Sequence, residues 1–133
     1  MRKKICLVTG GAGFLGRKYC EFFLEKGYLV LCVDNNKKNL RHINLIGSKH
    51  LITYECDITS EKKVEKLFKL IKKYFFVDVL INNAAIDAIP FKKKNLQKFP
   101  SEKMWDDEIN VSLKGTFFMI KFFGEEMSKK KRG

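Results

Sequence analysis

The sequence predicts an α/β protein: a doubly wound parallel sheet of four strands in spatial order 3-2-1-4, with helices on both faces. Three observations carry this. Short apolar runs alternate with stretches of helical spacing, the pattern of strand–helix–strand units whose strands run parallel. The runs Ile5-Cys6-Leu7-Val8 and Tyr28-Leu29-Val30-Leu31-Cys32-Val33 are apolar at every position, as strands covered on both faces require. Right-handed crossovers then fix the strand order. With 133 residues, 45% of them hydrophobic, the chain can bury one core, so residues 1–133 read as a single domain.

The first strand covers 3–9. The first helix covers 14–26, with Phe14, Leu15, Tyr19, Phe22, Phe23 and Leu24 on its apolar side and Gly27 at its end. The second strand is 28–34. A polar start at Asn35 leads to Leu40, Ile43, Leu45 and Ile46, a short helix stopped at Gly47. The third strand, 51–56, runs into Asp57-Ile58. Thr59 or Ser60 caps a third helix reaching Tyr74, on the spacing of Val64, Leu67, Phe68, Ile71 and Phe75, with Glu65 and Lys69 paired at i,i+4. The fourth strand, 77–81, ends in Asn82-Asn83-Ala84-Ala85. The following lysine-rich stretch, with Pro90 and Pro100, lacks periodicity and reads as a mobile surface loop. The last helix spans Ser101 to Met127, capped by Ser101, with Glu102, Asp106, Asp107 and Glu108 favouring its N-terminal half. Phe117, Phe118, Met119, Ile120, Phe122 and Phe123 cover most of its later circumference. One face is expected on the sheet and another on a partner subunit or a further part of the same chain.

Composition excludes several function classes. The formal charge of +12 is mostly lysine, gathered at Lys92-Lys93-Lys94 and Lys129-Lys130-Lys131-Arg132 without interleaved aromatic residues. It reads as a solvated surface, not a nucleic-acid interface. Cys6, Cys20, Cys32 and Cys56 show no metal-ligand spacing with one another or with His42 and His50, so they read as buried thiols and no metal is expected. No apolar run nears the ~20 residues of a membrane helix. The run after Met1-Arg2-Lys3-Lys4 is too short for a signal-peptide core. A cytoplasmic protein without membrane contact is expected.

The chemistry is carried by Thr9-Gly10-Gly11-Ala12-Gly13-Phe14-Leu15-Gly16, between the first strand and the first helix. Gly10 lets the chain turn out of the strand, Gly13 leaves room for a pyrophosphate against the backbone, and Gly16 lets helix and strand pack closely. The free N–H groups of the new helix face the phosphates. Asp34 ends the second strand 18 residues past Gly16, where a ribose-binding acid belongs. A glycine turn without ligand is the alternative, which the preceding strand and following acid disfavour.

Together with Asp57-Ile58-Thr59, Asn82-Asn83-Ala84-Ala85 and Asn110-Val111-Ser112-Leu113-Lys114-Gly115-Thr116, these motifs resemble the short-chain dehydrogenase/reductase family over essentially all 133 residues. The resemblance implies a Rossmann-type fold and NAD(P)-dependent hydride transfer to or from a small carbonyl or alcohol substrate. It implies cofactor binding by Thr9, Gly10, Gly13, Phe14, Leu15, Gly16, Asp34, Asn35, Asp57, Ile58, Asn83, Ala84, Ala85 and Val111. Asp57 would meet the adenine amino group, and Asn83 and Ala84 would set backbone against a ribose. Asn110 would be the active-site asparagine that holds a water and the catalytic lysine. A homo-oligomer built through the 101–127 helix is expected. Asp34 and Ala12 favour NAD, while Lys37 and Lys38 weigh toward NADP.

Two departures stand out. The spacing of glycines 10, 13 and 16 is that of the extended branch, which acts on nucleotide sugars, whereas the asparagine motifs match the compact branch; the two asparagine motifs outweigh the one glycine spacing. The family's tyrosine with lysine four residues on is missing: Phe23, Cys32, Ile58 and Asp78 follow Tyr19, Tyr28, Tyr54 and Tyr74 at that distance. The expectation is therefore the cofactor-binding half of a longer enzyme, stopping before a fifth strand and inactive alone. The alternatives are a non-catalytic dinucleotide-binding module and a nucleotide-sugar epimerase or dehydratase of the extended branch.

Overall fold

A computed structural model describes residues 2–86 and 101–133. The stretch 87–100, with Pro90, Lys92 to Lys94 and Pro100, lies outside the described residues. Strands β1 (Ile5–Thr9), β2 (Leu29–Asp34), β3 (Leu51–Glu55) and β4 (Val79–Asn82) form one sheet in the order β3-β2-β1-β4. Every pairing is parallel, with Leu7 opposite Leu31 and Leu80, and Asp34 opposite Glu55. The doubly wound architecture is as expected.

The pleat of the strands divides the core. Leu7, Leu31 and Val33 point to one face and pack with Val64, Ile71, Met119 and Phe123. Cys6, Val8, Val30 and Cys32 point to the other and pack with Cys20, Leu40 and Ile43. Both faces are covered, which is why the strand sequences do not alternate. Helices α1 (Phe14–Glu25) and α2 (Lys37–Ile43) lie on the second face, and α2 passes through a 3₁₀ turn, Asn44–Ile46, to Gly47 at φ 67°. Helix α3 (Glu61–Lys72) covers the first face with the C-terminal helix. Phe68 of α3 meets the rings of Phe122 and Phe123 at 5.9 and 5.2 Å, and Lys72–Glu126 and Lys121–Glu61 ion pairs bridge the two helices at 3.0 and 2.6 Å.

The structure corrects several sequence expectations. The last helix is not uniform. It runs as α4 (Glu102–Ile109), a π-helical stretch Asn110–Gly115, α5 (Thr116–Met119), a second π-helical stretch Ile120–Gly124, and α6 (Glu125–Lys129). Ser101 caps it as expected, accepting from Met104 N at 3.2 Å. Of its aromatic belt, Phe118, Met119 and Phe123 are buried, while Leu113, Phe117 and Ile120 stay exposed on another side. Ser60 stands at the N-cap of α3 but caps nothing with its side chain. β4 starts at Val79, two residues later than expected, because Asp78 sends its carboxylate to Ile5 N (2.9 Å) and to Arg2 (2.7 and 2.8 Å). The terminal basic run is not wholly solvated: Arg132 lies 3.2 Å from Asp78 and stacks on Phe76 at 4.0 Å.

Candidate functional site

Parallel strands deliver their C-terminal ends to one edge of the sheet, and the turns after β1, β2, β3 and β4 meet there around a cleft of about 530 Å³. Its lining includes Gly10, Gly13, Phe14, Leu15, Gly16, Asp34, Asn35, Asp57, Ile58, Asn83, Ala84, Ala85 and Val111. Four separate stretches of sequence, each singled out on its own, are thus brought to one wall. Thr9 and Asn110 do not line it.

The glycine turn is held by hydrogen bonds from Gly11 N to Val33 O and from Gly13 N to Gly10 O, both 3.1 Å. Its glycines are there for different reasons. Gly10 has φ 60°, and a Cβ on it would stand 2.8 Å from Ala84 Cα. A Cβ on Gly16 would stand 2.0 Å from Gly10 O, and one on Gly11 would stand 2.8 Å from Cys32 Sγ. These three are small because their own chain crowds them. Gly13 is different. Its φ of −76° and ψ of 179° suit any residue, and the only nearby atom is Gly10 O at 3.2 Å. Its missing side chain leaves open space on the cleft.

Helix α1 begins at that point without a side-chain cap and without an acid in its first turn. The other helices of eight residues or more differ: α3 has Glu61 in its first turn, and α4 has its Ser101 cap and Glu102. Arg17 N reaches back to Gly13 O, while the N–H groups ahead of it are the unpaired donors every helix start presents. Uncapped donors, positive dipole end and an open glycine together favour an anion.

At the tip of β2, Asp34 is fixed by two backbone donors, Ala12 N to Oδ2 (3.1 Å) and Asn36 N to Oδ1 (2.9 Å). Lys37 turns from it to Glu55, 3.3 Å away. After β3, Asp57 Oδ1 accepts from Thr59 N (3.0 Å) and Thr59 Oγ1 (2.7 Å), and Lys63 stands 3.5 Å from Oδ2. The Thr59 hydroxyl, above all, holds the Asp57 carboxyl below its ordinary range. Burial, with Asp57 beside it, pushes the neighbouring Cys56 thiol up to about 11.

After β4, Asn83 acts inward. Its Nδ2 donates to Thr9 O (3.1 Å) and Gly10 O (3.2 Å). Thr9, fully buried, accepts on Oγ1 from Asn83 N and Ala84 N, both 3.1 Å, and donates to Ile81 O at 3.4 Å. Thr9 is therefore committed to joining the β1 and β4 turns. Asn110 is half-buried where α4 gives way to the π-helical stretch, and Val111 beside it reaches the cleft. Gly115 lets this helix approach Ile58: a Cβ there would stand 2.6 Å from Ile58 Cδ1.

The sequence reading missed Val33, Asn36, Asn39, Cys56, Thr59 and Ile86 in the cleft wall. Asn36 carried a signal, being the asparagine that caps α2 by accepting from Asn39 N at 3.1 Å.

A model of the family described as short chain dehydrogenase matches residues 4–133. The chain belongs to the short-chain dehydrogenase family. Members are oxidoreductases that use a nicotinamide dinucleotide and act on small molecules. The chain is similar to an NAD-dependent glycerol dehydrogenase of Listeria innocua, 33% identical over 93% of this chain and 47% of the relative. It is also similar to 3-oxoacyl-(acyl-carrier-protein) reductase FabG of Thermotoga maritima, 32% identical over 98% of this chain and 52% of the relative. A short chain dehydrogenase from Bacillus anthracis superposes with a TM-score of 0.82, at 26% identity over 96% of this chain and 52% of that one. The chain thus spans about half the length of these dehydrogenase relatives. Among the described residues, no group of three His, Cys, Asp or Glu side chains is placed to hold a metal, and no helix is long and apolar enough to cross a membrane.

Proposed function

We propose that residues 1–133 form the cofactor-binding domain portion of an NAD-dependent short-chain oxidoreductase that transfers hydride between nicotinamide and a small carbonyl or alcohol. One observation carries the reading: Gly13 opens onto the uncapped start of α1, a cradle that a Cβ would fill while meeting only Gly10 O, at 3.2 Å. The residues present fit a dinucleotide. The N–H groups at Phe14, Leu15 and Gly16 would hold the pyrophosphate, and Asp34, already oriented by Ala12 and Asn36, keeps acceptor capacity on each oxygen for ribose hydroxyls. Asp57 and Ile58 would flank the adenine, with Asn35 near the first ribose. Asn83, Ala84, Ala85 and Val111 would face the nicotinamide half. When bound, the cofactor supplies the carbon that gives or takes hydride; the protein's share is orientation and electrostatics.

Asn110 is assigned to the proton relay, held at the α-to-π junction, where such irregular turns often serve function. None of the four tyrosines here has lysine four residues on, so the acid–base pair itself is not assigned within this chain. NAD is proposed over NADP because Asp34 would repel a 2′-phosphate, and the Listeria innocua relative is named NAD-dependent. The exposed row Leu113, Phe117 and Ile120 is proposed as a contact between copies in a homo-oligomer. A cytoplasmic setting suits the four free cysteines.

Titration of the gene-encoded protein with NAD and NADP, followed by a hydride-transfer assay with candidate alcohols, tests this. NAD binding with turnover supports it. NAD binding without turnover leaves the dinucleotide-binding module. Tighter binding of NADP overturns the cofactor assignment.

A further inference from the structure

We infer that Glu55 is a second determinant of cofactor choice: it adds a negative charge beside Asp34 and holds Lys37 away from the position of a 2′-phosphate. This rests on the reading of Asp34 as the ribose-binding acid. Glu55 is the last residue of β3 and the register partner of Asp34, the last residue of β2. The two carboxylates therefore end adjacent parallel strands. Asp34 spends one acceptor site per oxygen on the backbone and makes no ion pair among the described residues. Lys37, the first residue of α2 and three positions after Asp34, places its ammonium 3.3 Å from Glu55 Oε2. Glu55 itself lines a neighbouring hollow that adjoins the cleft through Asn35, Cys56 and Asp57, not the cleft proper.

The consequence is a charge sum. A 2′-phosphate carries about −1.5 to −2 charges near neutral pH. Set beside Asp34 it would meet two carboxylates, with Lys37 engaged by one of them. A 2′-hydroxyl carries no charge and is indifferent to Glu55. Removing the Glu55 charge therefore acts twice on NADP, by deleting a repulsion and by freeing Lys37, and not at all on NAD. Both side chains are largely exposed, so the effect is screened and modest.

The test uses the gene-encoded protein and four variants: Glu55→Gln, Lys37→Ala, the two combined, and Glu55→Gln with Lys38→Ala. Dissociation constants for NAD and NADP are measured at low and at high salt. Glu55→Gln should tighten NADP by about three- to tenfold at low salt and leave NAD unchanged. The gain should shrink at high salt, be cut back by Lys37→Ala, and survive Lys38→Ala. An unchanged NADP constant in Glu55→Gln, or a gain of full size without Lys37, overturns the inference while leaving Asp34 in its role. A wild-type protein that binds NADP as tightly as NAD, or binds neither, removes the Asp34 reading and this inference with it.

Discussion

Replacing Thr9 by valine keeps the shape of the side chain and deletes one oxygen. That oxygen accepts from Asn83 N and Ala84 N and donates to Ile81 O, and Thr9 is fully buried. Thr9→Val leaves Ala84 N without an acceptor and Asn83 N with only Ile81 O, 3.1 Å away; an unpaired donor costs about 1–3 kcal/mol when fully buried. Ala84 is half-buried beside the cleft, where water reaches, so the lower end applies to its amide. With the weakened bonding of Asn83 N added, the expected loss is about 1–2 kcal/mol. Thr9→Ser keeps the hydroxyl and deletes a buried methyl, for about 1 kcal/mol. Urea denaturation of both variants, at unchanged m-value, reads the difference. Because Asn83 Nδ2 bonds the backbone oxygens of Thr9 and Gly10, it should persist in both. If valine costs no more than serine, the hydroxyl does not join the β1 and β4 turns as described.

Gly13→Val should abolish NAD binding while shifting stability by less than about 1 kcal/mol, whereas Gly16→Ala should cost several, because its Cβ would overlap Gly10 O at 2.0 Å; calorimetric titration and thermal melts of both variants separate the two effects. Asp57 titrates below its ordinary range in the fold, so its contribution is intact above the unfolded value of about 3.9 and is lost as pH falls through the lower folded one. Melting temperatures taken down an acid series should fall less steeply for Asp57→Asn than for wild type. Burial pushes the Cys6 thiol up to about 12 and Cys56 up to about 11, and raises Cys32, chiefly through its contact with Cys20. The unfolded chain ionises these thiols first, so stability is whole below about pH 8.5 and declines above it. An alkylating reagent at pH 8 should leave the native thiols almost unlabelled and react with all four in denaturant; rapid native labelling would contradict the burial.

The order of strands and helices was legible in the sequence because it is written in local periods: continuous apolar runs for strands covered twice, helical spacing for α1 and α3. The cleft was legible because its residues come as short ordered motifs at strand ends. What escaped depends on contacts between residues far apart in the chain. Spacing alone could not separate Gly13, open on the cleft, from Gly16, crowded by Gly10 O. Nor could it show that the Asn83 side chain reaches back to Thr9 and Gly10, more than 70 residues earlier. Arg132 sat in a basic run that looked solvated, yet its partner Asp78 lies 54 positions away. The π-helical stretches have no composition of their own, so 101–127 could only be read as one regular helix.

Asp78 has a consequence for how the molecule comes apart. Arg2, ahead of the first strand, and Arg132, past the last helix, lie on the same carboxylate oxygen, at 2.7 and 3.2 Å, and both stack toward the Phe76 ring. One side chain thus closes a loop from Arg2 to Arg132, as a crosslink would, but with ions in place of a covalent bond. The segments before β1 and after α6 share a fastening and should loosen together. Amides before β1 and after α6 would then exchange with deuterium at linked rates, and raised salt would loosen both in step while amides of the turns around the cleft keep their protection.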